Sequence, residues 1–249
     1  MKTITSLQNP EIKDVAKLGD AKERKKQKRF VVEGLRALQT FLDAQWKPQA
    51  VYVAPDTQEV VEESFDGAIT LVSTDVMEKI SQATTPPGIL GVFAIPGQPS
   101  PNLLRSGIVL AQLADPGNVG TLIRTCAALG HTSVVSIDSV DIWSPKVVQA
   151  SGGTLAMMQV FHWSWDELLK QRVSQDLVGL VARGGSTPNK KLFKDALIVV
   201  GSEARGIPEA WQEQCDELIT LPMPGNVESL NAAVAGSIAM YLAWAPKSE

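Results

Sequence analysis

Asn118, Gly120 and Arg124 lie in LADPGNVGTLIRTCAALG (113–130), where an Asp-Pro-Gly-Asn turn leads from an apolar strand into a helix. On a helical wheel Val119, Leu122, Ile123, Cys126 and Leu129 share an arc that faces a core, while Gly120, Arg124 and Ala127 lie on another side. Arg124 therefore points away from the core, among small neighbours that leave room for something to approach. A guanidinium stays protonated at any accessible pH, so its chemistry is to orient a phosphate or stabilise a forming oxyanion rather than to take a proton. An ordinary exposed arginine is the competing reading.

A second stretch, IVVGSEARGIPEAW (198–211), opens from a buried-looking strand into Gly201, Ser202, Glu203 and Gly206. Its glycines let a ligand touch backbone, although Gly-Ser-Glu also makes an ordinary turn ahead of a helix start near Pro208. The third, LPMPGNVESLNAAVAGSIAMYLAW (221–244), runs through Pro222, Met223, Pro224 and Gly225 to Ser229, Leu230 and Asn231, and then enters a helix rich in Ala and Gly. Ser229 or Asn231 either serves chemistry or caps that helix. The small residues Ala232, Ala233, Ala235 and Gly236 permit close packing against a partner, within the chain or from a second subunit.

The elements that must position these loops are legible in the periodicity. In the second half IVLAQLA, SVVSID, MMQVFHW, LVGLVAR, ALIVVGS and ELITLPM read as apolar strands, interleaved with helices after Asn118, near SPKVVQA, over SWDELLKQ, after Pro208 and at the end. That alternation predicts a parallel sheet covered on both faces, with ligands bound at the carboxyl ends of strands. In the first half FVVEG, AVYVA, AITLVS and ILGVFAIP look like strands, and LRALQTFLDAQ, QEVVEESFD and TDVMEKISQA like helices. Between the halves PGQPSPNLLRSG (96–107) packs three prolines and two glycines into twelve residues, a composition that resists helix and sheet alike. The expected division is a small α/β domain over 1–97, a linker over 98–106 and a second α/β domain over 107–249.

The 249 residues, 44% of them apolar, suffice for real cores. The first fifteen residues hold no secretory signal, and the apolar stretch from Ala232 to Ala245 is too short to cross a bilayer, so a cytoplasmic protein is expected. Cys126 and Cys215 stand in no metal-ligand spacing and read as packing residues, with neither a disulfide nor a metal site expected. His131, at the end of the helix that carries Arg124, where the C-terminal polarity favours a cation, and His162, in FHWSW, read as structural. A net charge of −4 argues against coating nucleic acid through overall electrostatics but not against local binding. The run KERKKQKR (22–29) sets six basic side chains against one acid, a density able to neutralise several phosphates. Arg24, Lys25, Lys26, Lys28 and Arg29 are its candidate nucleic-acid contacts, with a solvated loop as the plain alternative. Neither GxGxxG nor a P-loop is present.

Taken in order, NVGTLIR, GSEARG and PMPGNVESLN resemble the three motifs of the SpoU (TrmH-like) RNA 2′-O-methyltransferases of the SPOUT superfamily. Asn118, Gly120 and Arg124, then Gly201, Glu203 and Gly206, then Pro222, Met223, Gly225, Ser229, Leu230 and Asn231 occupy the defining positions. The stretch DIWSPKVVQASGG (141–153) is similar to the segment that family places between the first two motifs, except that Gln149 stands where relatives often carry a basic residue. SLQNPEIKDVAKL and KRFVVEGLRAL resemble the family's substrate-binding domain of L30e type. The resemblance covers nearly the whole chain.

It implies an α/β fold in which a parallel-sheet SPOUT domain with a trefoil knot follows a small L30e-like domain, and a homodimer with composite active sites. It further implies methyl transfer from S-adenosylmethionine to a ribose 2′-hydroxyl of RNA, ribosomal rather than transfer RNA. Arg124 would orient the RNA phosphate and stabilise the forming alkoxide, Asn118 would hold the loop and the ribose, and Glu203 would fix the second loop or pair with Arg124. Ser229 and Asn231 would position the nucleotide. Gly201, Leu221, Met223, Leu230 and Ala182 would hold the cofactor, whose adenine needs backbone hydrogen bonds between apolar walls. The competing readings are a transfer-RNA 2′-O-methyltransferase, a non-catalytic RNA-binding relative, a nucleotide-binding enzyme lacking its phosphate loop, and a base methyltransferase, whose branches carry motifs other than NxGxxxR.

Overall fold

The computed structural model describes residues 2–59, 61, 65, 67–188, 195–225 and 229–244. Residues 60, 62–64 and 66 of the helix expected over QEVVEESFD, residues 226–228 of the third motif and Ala245 lie outside them. In the first half the elements are β1 (Lys2–Ile4), α1 (Pro10–Ala16), α2 (Ala21–Gln27), β2 (Arg29–Glu33), α3 (Leu35–Asp43), β3 (Ala50–Val53), β4 (Thr70–Val72), α4 (Thr74–Ile80) and β5 (Ile89–Ala94). The second half runs β6 (Gly107–Ala111), α5 (Pro116–Ala128), β7 (Ser133–Ile137), α6 (Pro145–Ala150), β8 (Gln159–His162), α7 (Trp165–Gln171), β9 (Leu177–Leu180), β10 (Leu197–Gly201), α8 (Glu209–Gln212), β11 (Glu217–Ile219) and α9 (Ala232–Trp244). They form two compact units, Met1–Gly97 with Trp143–Ala156, and Gln98–Ile142 with Met157–Glu249.

The first unit is built on a five-stranded sheet in the order β1-β4-β3-β5-β2, in which β5 runs antiparallel to both β2 and β3. Strand β1 has no counterpart in the sequence pattern; three residues are too few to show a period, and Lys2–Ile4 become a strand by pairing with Thr70–Val72. A core of Ile12, Val15, Leu18, Val31, Tyr52 and Val76 includes residues from α1, β2, β3 and α4. An aromatic cluster of Phe30, Phe41, Trp46, Phe93 and Trp143 also packs in this unit, with Phe30 and Trp143 ring centroids 4.8 Å apart.

Trp143–Ala156, expected within 107–249, packs with the first unit. Its Trp143 is drawn into the aromatic cluster, and the Trp46 indole N–H donates to the Ala156 carbonyl at 3.0 Å. Gly153, at φ +88°, lies so close to α3 that a Cβ would meet the Ala37 carbonyl oxygen at 3.0 Å. The basic run is also not a loop. Asp20 caps Lys22 N–H at 2.7 Å and starts α2. Arg24 is only 3% exposed, and its guanidinium donates to the Leu18 and Gly19 carbonyls, both at 2.8 Å. Arg24 thus leaves the set of candidate RNA contacts, because its charge ties down the preceding turn.

The second unit holds six parallel strands in the order β11-β9-β10-β6-β7-β8. Every residue of β6, β7 and β10 is buried, as a sheet covered on both faces requires. The stretch expected as a linker belongs to this unit. Leu104 enters its core and Arg105 N–H donates to Ser133 Oγ at 2.8 Å, while Pro101–Leu103 make a single 3-10 turn. From β6 the chain builds outward through β7 to β8, then crosses to place β9, β10 and β11 on the other side. That reversal leaves a crevice at the carboxyl ends of β6 and β10, where an open α/β sheet receives a ligand.

Candidate active site

Three loops meet at that crevice, each set by local chemistry. After β6, Asp115 accepts the Asn118 N–H at 2.7 Å and Pro116 occupies the first turn, so α5 begins with Asn118 near its mouth. After β10, Gly206 takes a left-handed φ of +66°, and its N–H closes back on the Ser202 carbonyl at 2.8 Å. Gly201 touches the other end of this turn so closely that a Cβ would fall 2.2 Å from the Gly206 carbonyl carbon. Before α9, Asn231 Oδ1 accepts the N–H groups of Ala233 at 3.0 Å and Val234 at 3.2 Å, which makes Asn231 the helix cap.

The amide of Asn118 joins the three. Its Nδ2 donates to Glu203 Oε1 at 2.5 Å, and its Oδ1 accepts from Asn231 Nδ2 at 3.0 Å. Only a side chain with a donor and an acceptor on one group can bridge a carboxylate and an amide donor in this way. Glu203 meets the Asn118 amide here. Among the described residues it forms no ion pair with Arg124.

Beside this joint lies a cleft of about 410 Å³ walled by the carboxyl ends of β9 and β10, the turn through Gly206, and the approach to α9. Ala182, Gly201, Glu203, Leu221, Met223, Ser229 and Leu230 line it; Asn118 borders it through Glu203, and Asn231 is joined to Asn118. Arg124 does not line it. It faces a separate groove with Thr121, Thr125, Ser237, Ile238 and Tyr241 between α5 and α9. Gly120 is buried with Val119 and Leu122, so the open flank expected around Arg124 is closed on that side. Sequence reasoning missed Arg183, Arg205 and Gln212, which also line the cleft. Their one signal is position, since Arg183 and Arg205 fall within four residues of a strand end.

The histidines and cysteines lie off this site. His131 Nδ1 is 2.7 Å from Ser106 Oγ and its ring packs on Trp244. Burial lowers its pKa, against the opposing pull of Asp195, which corrects the expectation that a helix end would favour its cation. Burial pushes the Cys126 thiol up to about 12 and Cys215 to about 11, so neither is a nucleophile. Among the described residues no cluster of three or more His, Cys, Asp or Glu could hold a metal, and no helix is long and apolar enough to cross a membrane.

Residues 106–241 match the SpoU rRNA Methylase family. The chain belongs to that family. Residues 9–91 of this SpoU methylase match the MRM3-like substrate binding domain. Over 96% of its length it is 31% identical to an uncharacterised tRNA/rRNA methyltransferase of Synechocystis, covering 92% of that protein. It is 28% identical to the 23S rRNA (guanosine(2553)-2′-O)-methyltransferase RlmP of Bacillus subtilis, covering 97% of this chain and 98% of that one. The solved structure of an AdoMet-bound rRNA methyltransferase from Sinorhizobium meliloti superposes with a TM-score of 0.85 at 25% identity, over 97% of this chain and 96% of that one.

A SpoU methylase is an S-adenosylmethionine-dependent RNA methyltransferase, and the cleft fits that methyl donor. Its volume of about 410 Å³ lies within the range of roughly 300–1,000 Å³ typical of small-molecule sites. Leu221, Met223 and Leu230 offer apolar walls, and the segment from Gly201 to Ile207, with a glycine near each end, brings backbone to the cleft. The sequence carries neither GxGxxG nor a P-loop, and this donor has no phosphate to grip.

Proposed function

We propose that this chain methylates a ribose 2′-hydroxyl in 23S ribosomal RNA, acting in the cytoplasm as a homodimer. One observation carries the reading: Asn118 ties the loop of Glu203 to the cap of α9 at the edge of a cleft of suitable size. The RlmP relative of Bacillus subtilis, named for a 23S rRNA ribose, supports the choice of substrate. When bound, S-adenosylmethionine supplies a methyl group on a sulfonium that is already a good leaving group. Gly201 and its turn would offer backbone, and Ala182, Leu221, Met223 and Leu230 apolar surface, to hold that donor. Ser229 and Asn231 align the ribose oxygen with the methyl carbon, and Asn118 and Glu203 hold the loops that do so.

Arg124 acts in trans. Its groove is bordered by an exposed apolar row on α9, Val234, Ile238, Tyr241 and Leu242, which a second copy would cover. Across that interface Arg124 reaches the partner's cleft, orients a phosphate and stabilises the oxygen as its proton leaves to phosphate or water. Family membership implies a trefoil path for the segment before α9. Lys25, Lys26 and Lys28, exposed on or just after α2, and Arg29, paired with Gln27, contribute RNA contacts from the substrate-binding unit.

The test is Arg124→Ala, which should keep S-adenosylmethionine binding and lose turnover. Loss of donor binding alone would contradict the assignment. Mapping 2′-O-methyl sites in total RNA with and without this gene identifies the nucleotide; an unchanged map would favour a non-catalytic RNA-binding role.

A further inference from the structure

Two cationic side chains of the cleft take no part in the network around Asn118. Arg183 follows β9 and Arg205 follows β10, adjacent parallel strands, so both leave the sheet at its carboxyl edge. Both line the cleft and both are exposed. Among the described residues neither guanidinium has a hydrogen-bond or ion-pair partner, and the acid two residues before Arg205, Glu203, is engaged by Asn118. Each arginine is followed by a glycine in left-handed conformation, Gly184 at φ +83° and Gly206 at φ +66°. Both chains therefore turn sharply just past the arginine, and the space around each glycine's missing Cβ is open.

Two exposed guanidinium groups that line one cleft, with no partner among the described residues, favour an anion there. The methyl donor is a poor candidate for that anion. Its ammonium and sulfonium outweigh its single carboxylate, so two neighbouring cations oppose its entry. An RNA strand brings one negative charge per nucleotide, and its phosphate oxygens match the planar fork of arginine.

We propose that Arg183 and Arg205 form a phosphate clamp at the mouth of the cleft, gripping the RNA backbone beside the ribose that is methylated. The clamp rests on the methyl-transfer reading above and assigns to this site a substrate contact separate from Arg124. Its position on two loops of the rigid sheet lets it fix the register of the strand, which sets which ribose faces the donor.

The test uses the full-length protein with total RNA from cells lacking this gene, tritiated S-adenosylmethionine, and the variants Arg183→Ala, Arg205→Ala, the double variant, and the two Arg→Lys changes. Methyl incorporation by the unsubstituted protein comes first; its absence overturns both the reading and the clamp. Given activity, each Ala variant should raise KM for RNA on the order of tenfold, as loss of a charge-assisted contact does. The slope of log KM against log salt should shrink by about 0.7 for each arginine removed, the value for single strands. Lysine should restore the slope but not the full KM, because it lacks the bidentate fork. Donor affinity, read by calorimetry without RNA, should stay within twofold. A weakened donor affinity with RNA KM unchanged would give the arginines to the donor's carboxylate and overturn the clamp alone, as would a salt slope equal to that of the unsubstituted protein.

Discussion

Truncating Asn118 to alanine removes both bonds of its side chain, and the consequence should be felt in the cleft it borders. The bond to Glu203 has a charged acceptor and the bond from Asn231 a neutral one. Such bonds contribute about 1.5–3 and about 0.5–1.5 kcal/mol respectively. Asn118 is half-buried, and Glu203 and Asn231 are exposed, so the lower ends apply and the sum is about 2 kcal/mol. The helix start survives, because the Asp115 cap uses the backbone N–H of residue 118. What is lost is the prior ordering of two loops, which donor binding must then supply. That corresponds to roughly thirtyfold weaker S-adenosylmethionine binding. Calorimetry on Asn118→Ala, Glu203→Ala and the double variant forms a cycle whose coupling should reach about 1.5 kcal/mol. Asn118→Asp should do worse than alanine, since it sets a second carboxylate against Glu203. Additivity to within about 0.5 kcal/mol, or an unchanged donor affinity, would refute the view that this amide organises the site.

Gly201→Ala should destabilise the protein by about 3 kcal/mol or more, because its Cβ meets backbone that cannot shift cheaply. That appears as a fall in Tm of roughly 6–12 °C, and an unchanged Tm would mean that the turn relaxes freely. Arg24→Ala should cost about 2–4 kcal/mol in urea unfolding while Lys25→Ala stays within about 0.5, since only the former leaves buried carbonyls without a donor; equal effects would reject the inward role of Arg24. His131 has its pKa lowered in the fold, so as pH falls the unfolded chain takes up the proton first. Its contribution to stability is complete above about pH 6.5 and declines below it. Thermal melts from pH 7.5 to 5 should show that decline, and His131→Gln should flatten it; a variant with the same slope would place the titration elsewhere.

The three loops were legible because their chemistry is written in residue types that serve little else together: glycines where backbone must bend or approach, and polar groups directly after apolar strands. The six strands of the second unit were equally legible, since burial on both faces leaves unbroken apolar runs in β6, β7 and β10. Other features depend on partners distant in sequence. The bond from Asn118 to Glu203 spans 85 positions and that to Asn231 spans 113, and no local pattern announces either. Arg24 looks like its neighbours in a charge run, and only the carbonyls of the preceding turn decide that it points inward. Trp143 likewise reads as part of the second half until Phe30 and Trp46 are found around it.

The placement of Arg124 shows how far such reasoning extends. Helical periodicity puts it on the outer side of α5, away from the sheet, and the structure places it there. The geometry separates the two: the Asn118 end of the helix borders the cleft, while Arg124, six residues on, faces the groove against α9. A helix turns through 600° in six residues, or 240° net, so the two side chains cannot share a face. In the homodimer proposed above, a second copy of the same helix would bring its own Arg124 to this chain's cleft, so that both groups could act at one ribose. On that proposal the motif spacing bears on assembly as well as chemistry, because it sets the residue that borders the cleft and the arginine about 120° apart on one helix.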